Sequence, residues 1–239
     1  MSPSPQPRDV YRRLLRDLGP QGWWPVTPRG GLRPRYRPGS SGGLTERQRL
    51  EICVGAILTQ NTSWGNVESS LRRLSAAGLR ELPEYLAVSL QRLERLIRSS
   101  GYFHQKAMKL KAFMRHLEGR GGRLGSWLSV DLKTVRPELL DIYGIGPETA
   151  DSILLYAGAR AIFVVDAYTL RIGRRLGWFR TAAYERAQDY LCRRLPVSAV
   201  VYREFHALIV RLAKDFCHKN KPLCLKCPLK EICRYGQSR

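Results

Sequence analysis

The chain has 239 residues, 44% of them hydrophobic, which is enough to bury a sizeable core in one large domain or two small ones. This composition excludes disorder over most of its length. The sequence has 41 Lys and Arg against 20 Asp and Glu, and the formal net charge of +21 predicts a polyanionic partner, with nucleic acid as the first candidate. An anionic membrane is the alternative, but peripheral membrane proteins usually bind through one amphipathic basic helix, whereas basic residues here recur along the whole chain.

Neither end of the chain carries a sign of membrane insertion or export. No segment approaches the roughly 18 continuous apolar residues that cross a bilayer, and the N-terminal sequence MSPSPQPRDVYRRLL lacks the apolar run of a signal peptide. We therefore expect a cytoplasmic location, in the bacterial cytoplasm or nucleoid, and no membrane partner.

The first fifty residues contain eight of the fourteen prolines of the chain. We predict a short first helix at about 9–18 and a long loop over 19–43, because Pro and Gly are too frequent there for regular structure. The part of this loop from Pro28 to Gly43 is either a solvated linker or an added contact to the polyanion. It carries four arginines, Arg29, Arg33, Arg35 and Arg37.

Beyond residue 44 the pattern is helical almost throughout. Thr45 followed by Gln48 is a capping-box start, and apolar residues then recur at helical spacing over 50–57, 64–74, 90–97 and 107–117. The one β-like run, AIFVV at 161–165, is too isolated to found a sheet. The sequence therefore predicts an all-α fold of about ten short helices.

Four of the six cysteines lie within seventeen residues near the end of the chain: Cys217, Cys224, Cys227 and Cys233. A disulfide framework is not expected, because the rest of the chain is poor in cysteine, and four crowded thiolates repel one another unless a metal holds them. Zinc usually takes two CxxC-like knuckles, and one is present here. The spacers of six, two and five residues favour a loop around an iron–sulfur cluster, with zinc as the alternative. Cys53 and Cys192 are predicted to be small buried side chains.

The cysteine loop also carries basic side chains suited to a phosphate backbone, namely His218, Lys219, Lys221, Lys226 and Lys230. A bound cluster could serve only to hold this loop in place. A redox role is the alternative, and the sequence leaves both open.

A helix–turn–helix pattern precedes the cysteine loop. A short helix over Pro137 to Asp141 is followed by the turn Tyr143-Gly144-Ile145-Gly146, and Pro147 begins a second helix, since proline suits the first helical turn. The glycines let the backbone approach a ligand, and the free N–H groups at the start of the second helix favour an anion. This pattern is typical of a helix-hairpin-helix, which grips a DNA phosphate without reading a base. The predicted DNA contacts are Gly144, Ile145, Gly146, Thr149, Lys219 and Lys221.

The apolar run at 163–165 leads into Asp166, which the pattern places at a helix N-terminus. As a plain N-cap this carboxylate would stabilise its helix by about 1 kcal/mol. Its position twenty residues after Gly146, just downstream of the hairpin, favours a functional role as well.

Together these motifs resemble the endonuclease III, or HhH-GPD, superfamily of base-excision DNA glycosylases. The match runs from about 55 to 233 and includes LTQNT at 58–62, YGIGPETAD at 143–151, VDAYTLR at 165–171 and the Cys-x6-Cys-x2-Cys-x5-Cys loop. The resemblance implies a 4Fe-4S cluster rather than zinc. It also implies two lobes with double-stranded DNA containing a damaged base in the cleft between them. We assign 44–180 to a six-helix barrel, and 1–43 with 181–239 to a cluster domain built from both chain ends, and we expect a monomer.

The resemblance assigns roles to three residues. Asp166 matches the catalytic aspartate, whose carboxylate stabilises the positive charge that builds on the sugar and orients or deprotonates the attacking water. The target base must first leave the stack. Gln60 matches the residue that fills the vacated space, and Tyr102 aligns with a wedge that parts the bases.

Glu148 departs from the pattern of the strand-cutting members of the superfamily. Those members have a lysine at this position, whose amine attacks the sugar to form a Schiff base. Glutamate cannot do so, and no lysine occurs between Lys133 and Lys214 to replace it. We therefore expect a monofunctional glycosylase that leaves an abasic site and has no AP lyase activity.

Within the superfamily the chain resembles most the endonuclease III-type 3-methyladenine DNA glycosylases, on Glu148-Thr149-Ala150-Asp151 and on Gly22-Trp23-Trp24-Pro25. Trp24 and Pro25 match aromatic-pocket positions of that branch, and Leu50 stands where it can have a second aromatic residue. Because an electron-rich indole suits a cationic alkylated purine, alkylated purines are the expected substrates. An endonuclease III-like glycosylase and AP lyase acting on oxidised pyrimidines or mismatches is the alternative.

Two further functions are disfavoured. A DNA-binding protein without catalysis would not need Asp166 and Gln60, and a nuclease would need a cluster of carboxylates spaced for divalent metals, which the sequence lacks. The segment from Pro28 to Gly43 has no counterpart that we can place in the superfamily.

Overall fold

The protein is described by a computed structural model over residues 4–38, 43–180 and 183–238, so the stretch 39–42 of the predicted N-terminal loop lies outside the described residues. The all-α prediction is confirmed. In the described part of the chain no strand forms, and the single β-bridge pairs Val26 with Arg35 in antiparallel fashion. The α-helices in these ranges are α1 (Pro7–Leu18), α2 (Glu46–Leu58), α3 (Trp64–Ala76), α4 (Leu82–Ala87), α5 (Leu90–Ile97), α6 (Phe103–Gly119), α7 (Leu124–Ser129), α8 (Leu132–Asp141), α9 (Pro147–Ser152), α10 (Ala167–Leu176), α11 (Tyr184–Cys192), α12 (Ala199–Asp215) and α13 (Arg234–Gln237).

The chain divides into two compact units, one formed by Trp24–Arg160 and the other by Met1–Trp23 with Ala161–Arg239. These divisions lie at 23/24 and 160/161, whereas the sequence assigned lobes divided at 43/44 and 180/181. The first difference arises because Trp24 packs its indole directly on Gly55 of α2. The second arises because α10 packs on α12. We call the two units the α2 unit and the α12 unit.

The α2 unit is organised around its name-giving helix. The Thr45–Gln48 capping box begins α2 as predicted, and every residue from Ile52 to Leu58 is buried. Helices α3, α6, α7 and α9 and a π-helical segment at Ile153–Ala157 contact α2 on its different sides. A helix buried on all faces serves as the core of its unit, which explains why the apolar residues of α2 are nearly continuous rather than confined to one stripe.

The α12 unit brings the two ends of the chain together. Helix α12 packs against α1 and α10, and α10 also contacts α13. Phe205 of α12 is fully buried and meets Tyr11 of α1 edge-to-face, with ring centroids 5.5 Å apart. The Trp178 indole N–H donates to the Pro5 carbonyl at 2.6 Å. These contacts hold the N-terminal helix to the C-terminal half.

Most helices predicted from periodicity are confirmed, and two details are corrected. Helix α8 begins at Leu132 and not at Pro137, because the Asp131 side chain caps it by accepting from the Lys133 N–H, and Pro137 lies inside the helix. Cys53 is buried as predicted, whereas Cys192 at the end of α11 is only partly buried. No helix among the described residues is long and apolar enough to cross a membrane.

Candidate nucleic-acid interface and catalytic carboxylate

The predicted hairpin is present in the α2 unit, between α8 and α9. Gly144 has a φ of +79°, which L-residues with a side chain rarely adopt, and the Ile145 N–H closes the turn by donating to the Ile142 carbonyl at 3.0 Å. The Ile145 side chain is buried, so it anchors the turn in the core and leaves only its backbone for a ligand. Gly146 is exposed at the N-cap of α9, and Pro147 follows at the first helical position.

A buried ion pair joins the two helices of the hairpin. Arg136 of α8 donates through Nε and Nη2 to the two carboxylate oxygens of Asp151 in α9, at 2.7 and 3.1 Å. The Asp151 side chain is fully buried. Such a two-pronged contact fixes direction as well as distance, so it sets the angle between the helices on either side of the turn.

Gln60 lies against this hairpin, in the turn that follows α2. Its side-chain Nε2 donates to the Gly144 carbonyl at 3.1 Å and to the Thr149 hydroxyl at 2.9 Å. Thr149 is buried, so its hydroxyl faces Gln60 rather than solvent. The structure thus brings together three of the residues that the sequence predicts to contact DNA.

Two lysines of α6 complete this region, and sequence reasoning missed both. The Lys109 ammonium donates to the Gln60 Oε1 at 2.5 Å. Lys106, one turn earlier, is 1% exposed and donates to the carbonyls of Leu58 and Ser100 at 2.8 and 2.6 Å. Burial, followed by the charge of Lys109, lowers the pKa of Lys106 to about 8. The only available signal was the i, i+3 spacing of two lysines on one helix face.

Tyr102 occupies the exposed turn before α6. Its φ of +45° places it in the left-handed region, and 67% of the residue is exposed. A left-handed tyrosine that buries little of its ring costs free energy without a packing gain. Tyr102 is therefore not a core residue, and its ring is accessible to a ligand.

Glu148 is exposed in the first turn of α9, where the helix dipole favours an acidic side chain and disfavours a lysine. No lysine lies near Glu148 along the sequence, but in the structure Lys109 of α6 packs against Gly144 of the hairpin turn. A Cβ atom added to Gly144 would lie 2.4–2.5 Å from the Lys109 side-chain carbons. A lysine of α6 therefore packs against the hairpin turn.

Asp166 lies in the α12 unit as the N-cap of α10, as predicted. Its Oδ1 accepts from the Thr169 N–H at 2.7 Å and from the Thr169 hydroxyl at 2.8 Å. On its other oxygen, Oδ2, His206 of α12 approaches with Nε2 at 3.7 Å. About 13% of the Asp166 side chain stays accessible, enough for one edge of the carboxylate to meet a ligand.

The environment of Asp166 favours the ionised form. Burial raises the pKa of the carboxyl, but His206 and the Thr169 N–H and O–H together lower it by more, so the pKa lies below its ordinary value of 3.8. Asp166 is therefore a carboxylate at neutral pH, largely buried and oriented by Thr169 of its own helix. It can stabilise a positive charge or accept a proton, but it cannot act as an acid.

The residues predicted to line a base pocket are buried in the α2 unit. Trp24 is 9% exposed, and its ring meets Trp64 and Tyr156 edge-to-face at 5.5 and 5.3 Å. Pro25 and Leu50 are buried. In the α2 unit, Trp64 is the member of this aromatic group that is partly exposed.

The four cysteines of the C-terminal loop line one small pocket that opens to solvent. Burial, and the neighbouring Cys217, Cys224 and Cys233, raise the pKa of the Cys227 thiol to about 11. Thiols so arranged hold their protons unless a cation replaces them. Within the described residues, no three His, Cys, Asp or Glu side chains converge as single-ion ligands would. Lys219 and Lys221 are exposed on the rim of the loop.

Two arginines of α10 donate hydrogen bonds to the cysteine loop. Arg175 donates to the Cys217 Sγ at 2.9 Å and to the carbonyls of His218 and Lys219. Arg171 donates to the Cys217 carbonyl at 3.0 Å. The helix that begins with Asp166 thus ends against the loop that begins with Cys217.

The arginine-bearing N-terminal segment is folded onto the α2 unit over its described part. The Val26–Arg35 bridge closes it, and the Thr27 N–H and hydroxyl both donate to the Glu51 carboxylate of α2. We call residues 26–37 the arginine arm. Three of its arginines, Arg29, Arg33 and Arg35, are exposed, and Arg37 is partly buried.

Comparison with known families identifies the chain. The model of the HhH-GPD superfamily base excision DNA repair proteins matches residues 54–196, which hold α2, the hairpin and Asp166. The chain belongs to the HhH-GPD superfamily. It is a base-excision DNA repair glycosylase of that superfamily, and the sequence-based expectation of an endonuclease III-type glycosylase is confirmed.

Two relatives illustrate the spread of this glycosylase family. A provisionally named DNA repair glycosylase of Methanocaldococcus jannaschii is 41% identical over 227 residues, 94% of this chain and 94% of its own. The thymine-DNA glycosylase of Aeropyrum pernix is 30% identical over 193 residues, 77% of this chain and 81% of its own.

Two solved structures share the fold. A non-covalent endonuclease III–DNA complex aligns with a TM-score of 0.76 at 22% identity, over 100% of this chain and 99% of that one. The H. pylori 3-methyladenine DNA glycosylase bound to 1,N6-ethenoadenine aligns with a TM-score of 0.68 at 24% identity, over 88% of this chain and 98% of that one. At these identities the likeness establishes the HhH-GPD fold.

Proposed function

We propose that this glycosylase hydrolyses the N-glycosidic bond of a damaged nucleotide in duplex DNA and leaves the strand uncut. The proposal rests on two features of the chain taken together. Asp166 is ionised and oriented, and position 148 holds a glutamate, where a strand-cutting relative needs a lysine. A carboxylate supports hydrolysis. It does not supply the amine on which Schiff-base strand cleavage depends.

Asp166 performs the central step of this mechanism. As the base departs, positive charge develops on the sugar, and the fixed carboxylate stabilises it without having to reorganise. Thr169 holds Oδ1 by two hydrogen bonds, so Oδ2 is the oxygen free of Thr169 and suited to orient or deprotonate a water. The lowered pKa of Asp166 keeps its carboxylate ionised as the base departs.

The α2 unit supplies the groups that hold the duplex in this proposal. The partly buried backbone at Gly144 and the exposed backbone at Gly146 bind a phosphate, and Lys219 and Lys221 are further phosphate contacts. Gln60 fills the space left by the flipped base, and the exposed Tyr102 parts the neighbouring bases. The closed, anchored arginine arm is suited to an added DNA contact rather than to a solvated linker.

Alkylated purines are the substrates that we propose. In the α2 unit the partly exposed Trp64 packs edge-to-face on the buried Trp24, and the electron-rich indole of Trp64 favours a cationic base. The fold-level neighbour from H. pylori is itself a 3-methyladenine DNA glycosylase. A mismatched thymine is the second candidate, because a thymine-DNA glycosylase is among the relatives at 30% identity.

We further propose that Cys217, Cys224, Cys227 and Cys233 hold a 4Fe-4S cluster. The fit rests on four cysteines that line one cavity, with Arg175 donating to the Cys217 sulfur. Four cysteine ligands are the number that such a cluster needs. When bound, the cluster would supply loop order and, in principle, electron transfer. Protein that contains zinc and no iron or sulfide would contradict this proposal.

A panel of duplexes, each with one lesion, tests the function. We expect excision of an alkylated purine that becomes visible as strand scission only after alkali, and no covalent adduct on borohydride treatment. The panel includes an oxidised pyrimidine and a G·T mismatch, and an endonuclease III serves as the positive control for trapping.

Trapping of the wild-type protein would contradict the monofunctional assignment. The variant K109M then identifies the amine, because Lys109 is the lysine that the structure places at the hairpin. Excision confined to the mismatch would replace the alkylpurine assignment with the second candidate.

A further inference from the structure

We propose that Lys109 is a positioning residue for Gln60: it sets which way the Gln60 amide faces and ties that amide to the helix-hairpin-helix before DNA binds. The proposal rests on the proposed function where it concerns Gln60 acting on DNA. The orientation of the amide is a property of the free protein and can be measured without a substrate.

The argument starts from the chemistry of an amide. The oxygen and nitrogen of a glutamine side chain have nearly the same shape, so sterics alone do not choose between its two orientations. A lysine ammonium carries donors only. Because the Lys109 Nζ lies 2.5 Å from one end of the Gln60 amide, that end must be the oxygen.

The other end of the amide then has two matching partners. The Gly144 carbonyl and the Thr149 hydroxyl can both accept from Nε2, at 3.1 and 2.9 Å. Reversing the amide would place its oxygen against the Gly144 carbonyl and its NH₂ against the ammonium, so that two hydrogen bonds would become repulsive contacts. The charged hydrogen bond to Lys109 thus favours the amide orientation in which Gln60 Nε2 donates to Gly144 and Thr149 of the hairpin.

Lys109 is itself held in place. Its side-chain carbons lie so close over Gly144 that an added Cβ would meet Cγ, Cδ and Cε at 2.4–2.5 Å. This packing removes rotamer freedom from the lysine before its ammonium reaches Gln60, which lowers the entropy lost in the contact. Gly144 therefore serves two purposes: it adopts the positive φ of the turn and leaves room for the lysine stem.

Lys106 stabilises the end of α2, just before the turn that carries Gln60. Its buried ammonium joins the Leu58 carbonyl at the end of α2 to the Ser100 carbonyl next to the Tyr102 turn. Gln60, two residues after Leu58, thus follows a chain end that is already fixed. Helix α6 thus contacts the Gln60 turn, the end of α2 and the hairpin, and Lys109 is the residue of α6 that donates a hydrogen bond to Gln60.

The test uses three variants of α6. Lys109→Met keeps the stem over Gly144 and removes the ammonium, whereas Lys109→Arg restores donors. Lys111→Met is the matched control: Lys111 caps α4 by donating to the carbonyls of Tyr85, Leu86 and Val88, so its loss removes at least as many hydrogen bonds from the same helix without touching Gln60.

The first readout is the Gln60 side-chain NH₂ in nitrogen-15 NMR spectra of the free protein. We expect two resolved, slowly exchanging protons in the wild type and K111M, averaging and faster exchange in K109M, and recovery in K109R. An unchanged Gln60 signal in K109M would overturn the proposal, as would an equal loss in K111M, which would indicate a merely structural effect.

The second readout is single-turnover excision at saturating enzyme. Because a charged hydrogen bond is at stake, K109M should lower the excision rate about tenfold, with less change in DNA affinity, and the loss should not add to that of Q60A. A weakened affinity with an unchanged rate would show that Lys109 is a phosphate contact instead. If the wild type excises no lesion, the proposed function fails, while the NMR readout still decides the Lys109–Gln60 link.

Discussion

Asp166 and Gln60 are held in opposite ways. The Asp166 carboxylate is oriented chiefly by Thr169, three residues along its own helix. The Gln60 amide is bonded to Lys109, Gly144 and Thr149, which lie 49, 84 and 89 positions away in the sequence. The proposed catalytic group is therefore oriented mainly within its own helix, with His206 of α12 approaching its second oxygen, whereas the side chain proposed to enter the duplex depends on three elements that meet in the folded α2 unit.

This difference predicts how each region responds to substitution. A change at Asp166 removes chemistry and leaves its surroundings intact, because the cap is local and can be replaced by a similar side chain. A change in the hairpin network spreads to every partner, because buried polar groups that lose one partner remain desolvated. The predictions below separate these two behaviours.

The largest effect is expected for Asp166→Asn. Asparagine caps helices as well as aspartate, so the free energy of unfolding should change by less than about 1 kcal/mol. Excision should fall about 10²–10⁴-fold, because the variant can neither stabilise the sugar cation nor accept a proton. Lesion excision, DNA affinity and denaturant unfolding are measured on the same preparation.

The control for this variant is Asp131→Asn, which changes the other aspartate cap, at the start of α8. It should leave excision unaltered. Full activity of D166N would remove Asp166 from the mechanism, and retained DNA binding without any excision in the wild type would favour the non-catalytic DNA-binding alternative.

Gly144→Ala is expected to have an intermediate effect that combines stability and binding. The φ of +79° and the close Lys109 stem both oppose a Cβ atom, so the free energy of unfolding should fall by about 1–2 kcal/mol. Affinity for undamaged duplex should fall as well, since the hairpin backbone must shift.

Gly146→Ala provides the comparison within the same turn. Nothing lies within 4 Å of a Cβ added there, and its φ of −95° is ordinary. It should be nearly neutral for stability. Equal losses at the two glycines would show that Lys109 and the positive φ do not distinguish Gly144.

The arginine arm should give the smallest effect on excision and a clear one on salt dependence. Replacing Arg29, Arg33 and Arg35 by Gln should reduce the slope of log affinity against log salt by about 2–3, because each lost phosphate contact removes about 0.9. The excision rate at saturating enzyme should be unchanged, since the arm acts only in binding. DNA binding at several salt concentrations provides the measurement.

An equal loss of charge elsewhere serves as the comparison for the arm. Arg72, Arg92 and Arg95 are exposed on α3 and α5, and their replacement by Gln removes the same charge from the same unit. A slope reduced equally by both triple variants would indicate a diffuse effect of net charge, and the arm would then be a folded but non-contacting segment.

Much of the site could be predicted because its determinants are local. Periodicity located α2, α3, α5 and α6, the Thr45–Gln48 box located a helix start, and Asp166 was recognised as a cap from the residues around it. The glycines of the hairpin were recognisable because a turn with a positive φ leaves few choices of residue. The start of helix α8 was wrong: the prediction began it at Pro137, whereas the Asp131 cap lies six residues earlier.

The roles of several residues near Gln60 and Asp166 could not be predicted, because no specific sequence pattern marks them. Lys106 and Lys109 are two lysines among many in a basic chain, and His206 lies forty residues beyond the aspartate that it approaches. Their roles depend on which backbone carbonyl or side chain lies opposite, and only packing brings those groups together.

The sequence by itself determined the all-α class, the hairpin turn, the helix N-cap at Asp166 and the presence of a glutamate at position 148, on which the proposed lack of lyase activity rests. Each of these depends on residues within one turn of helix or one tight loop, where backbone geometry restricts the choice. The tertiary structure alone decided that Lys109 and Thr149 satisfy the Gln60 amide and that the arginine arm folds back on α2. Those contacts join residues far apart in the chain, and their energy comes from burial of polar groups that a sequence does not bring face to face.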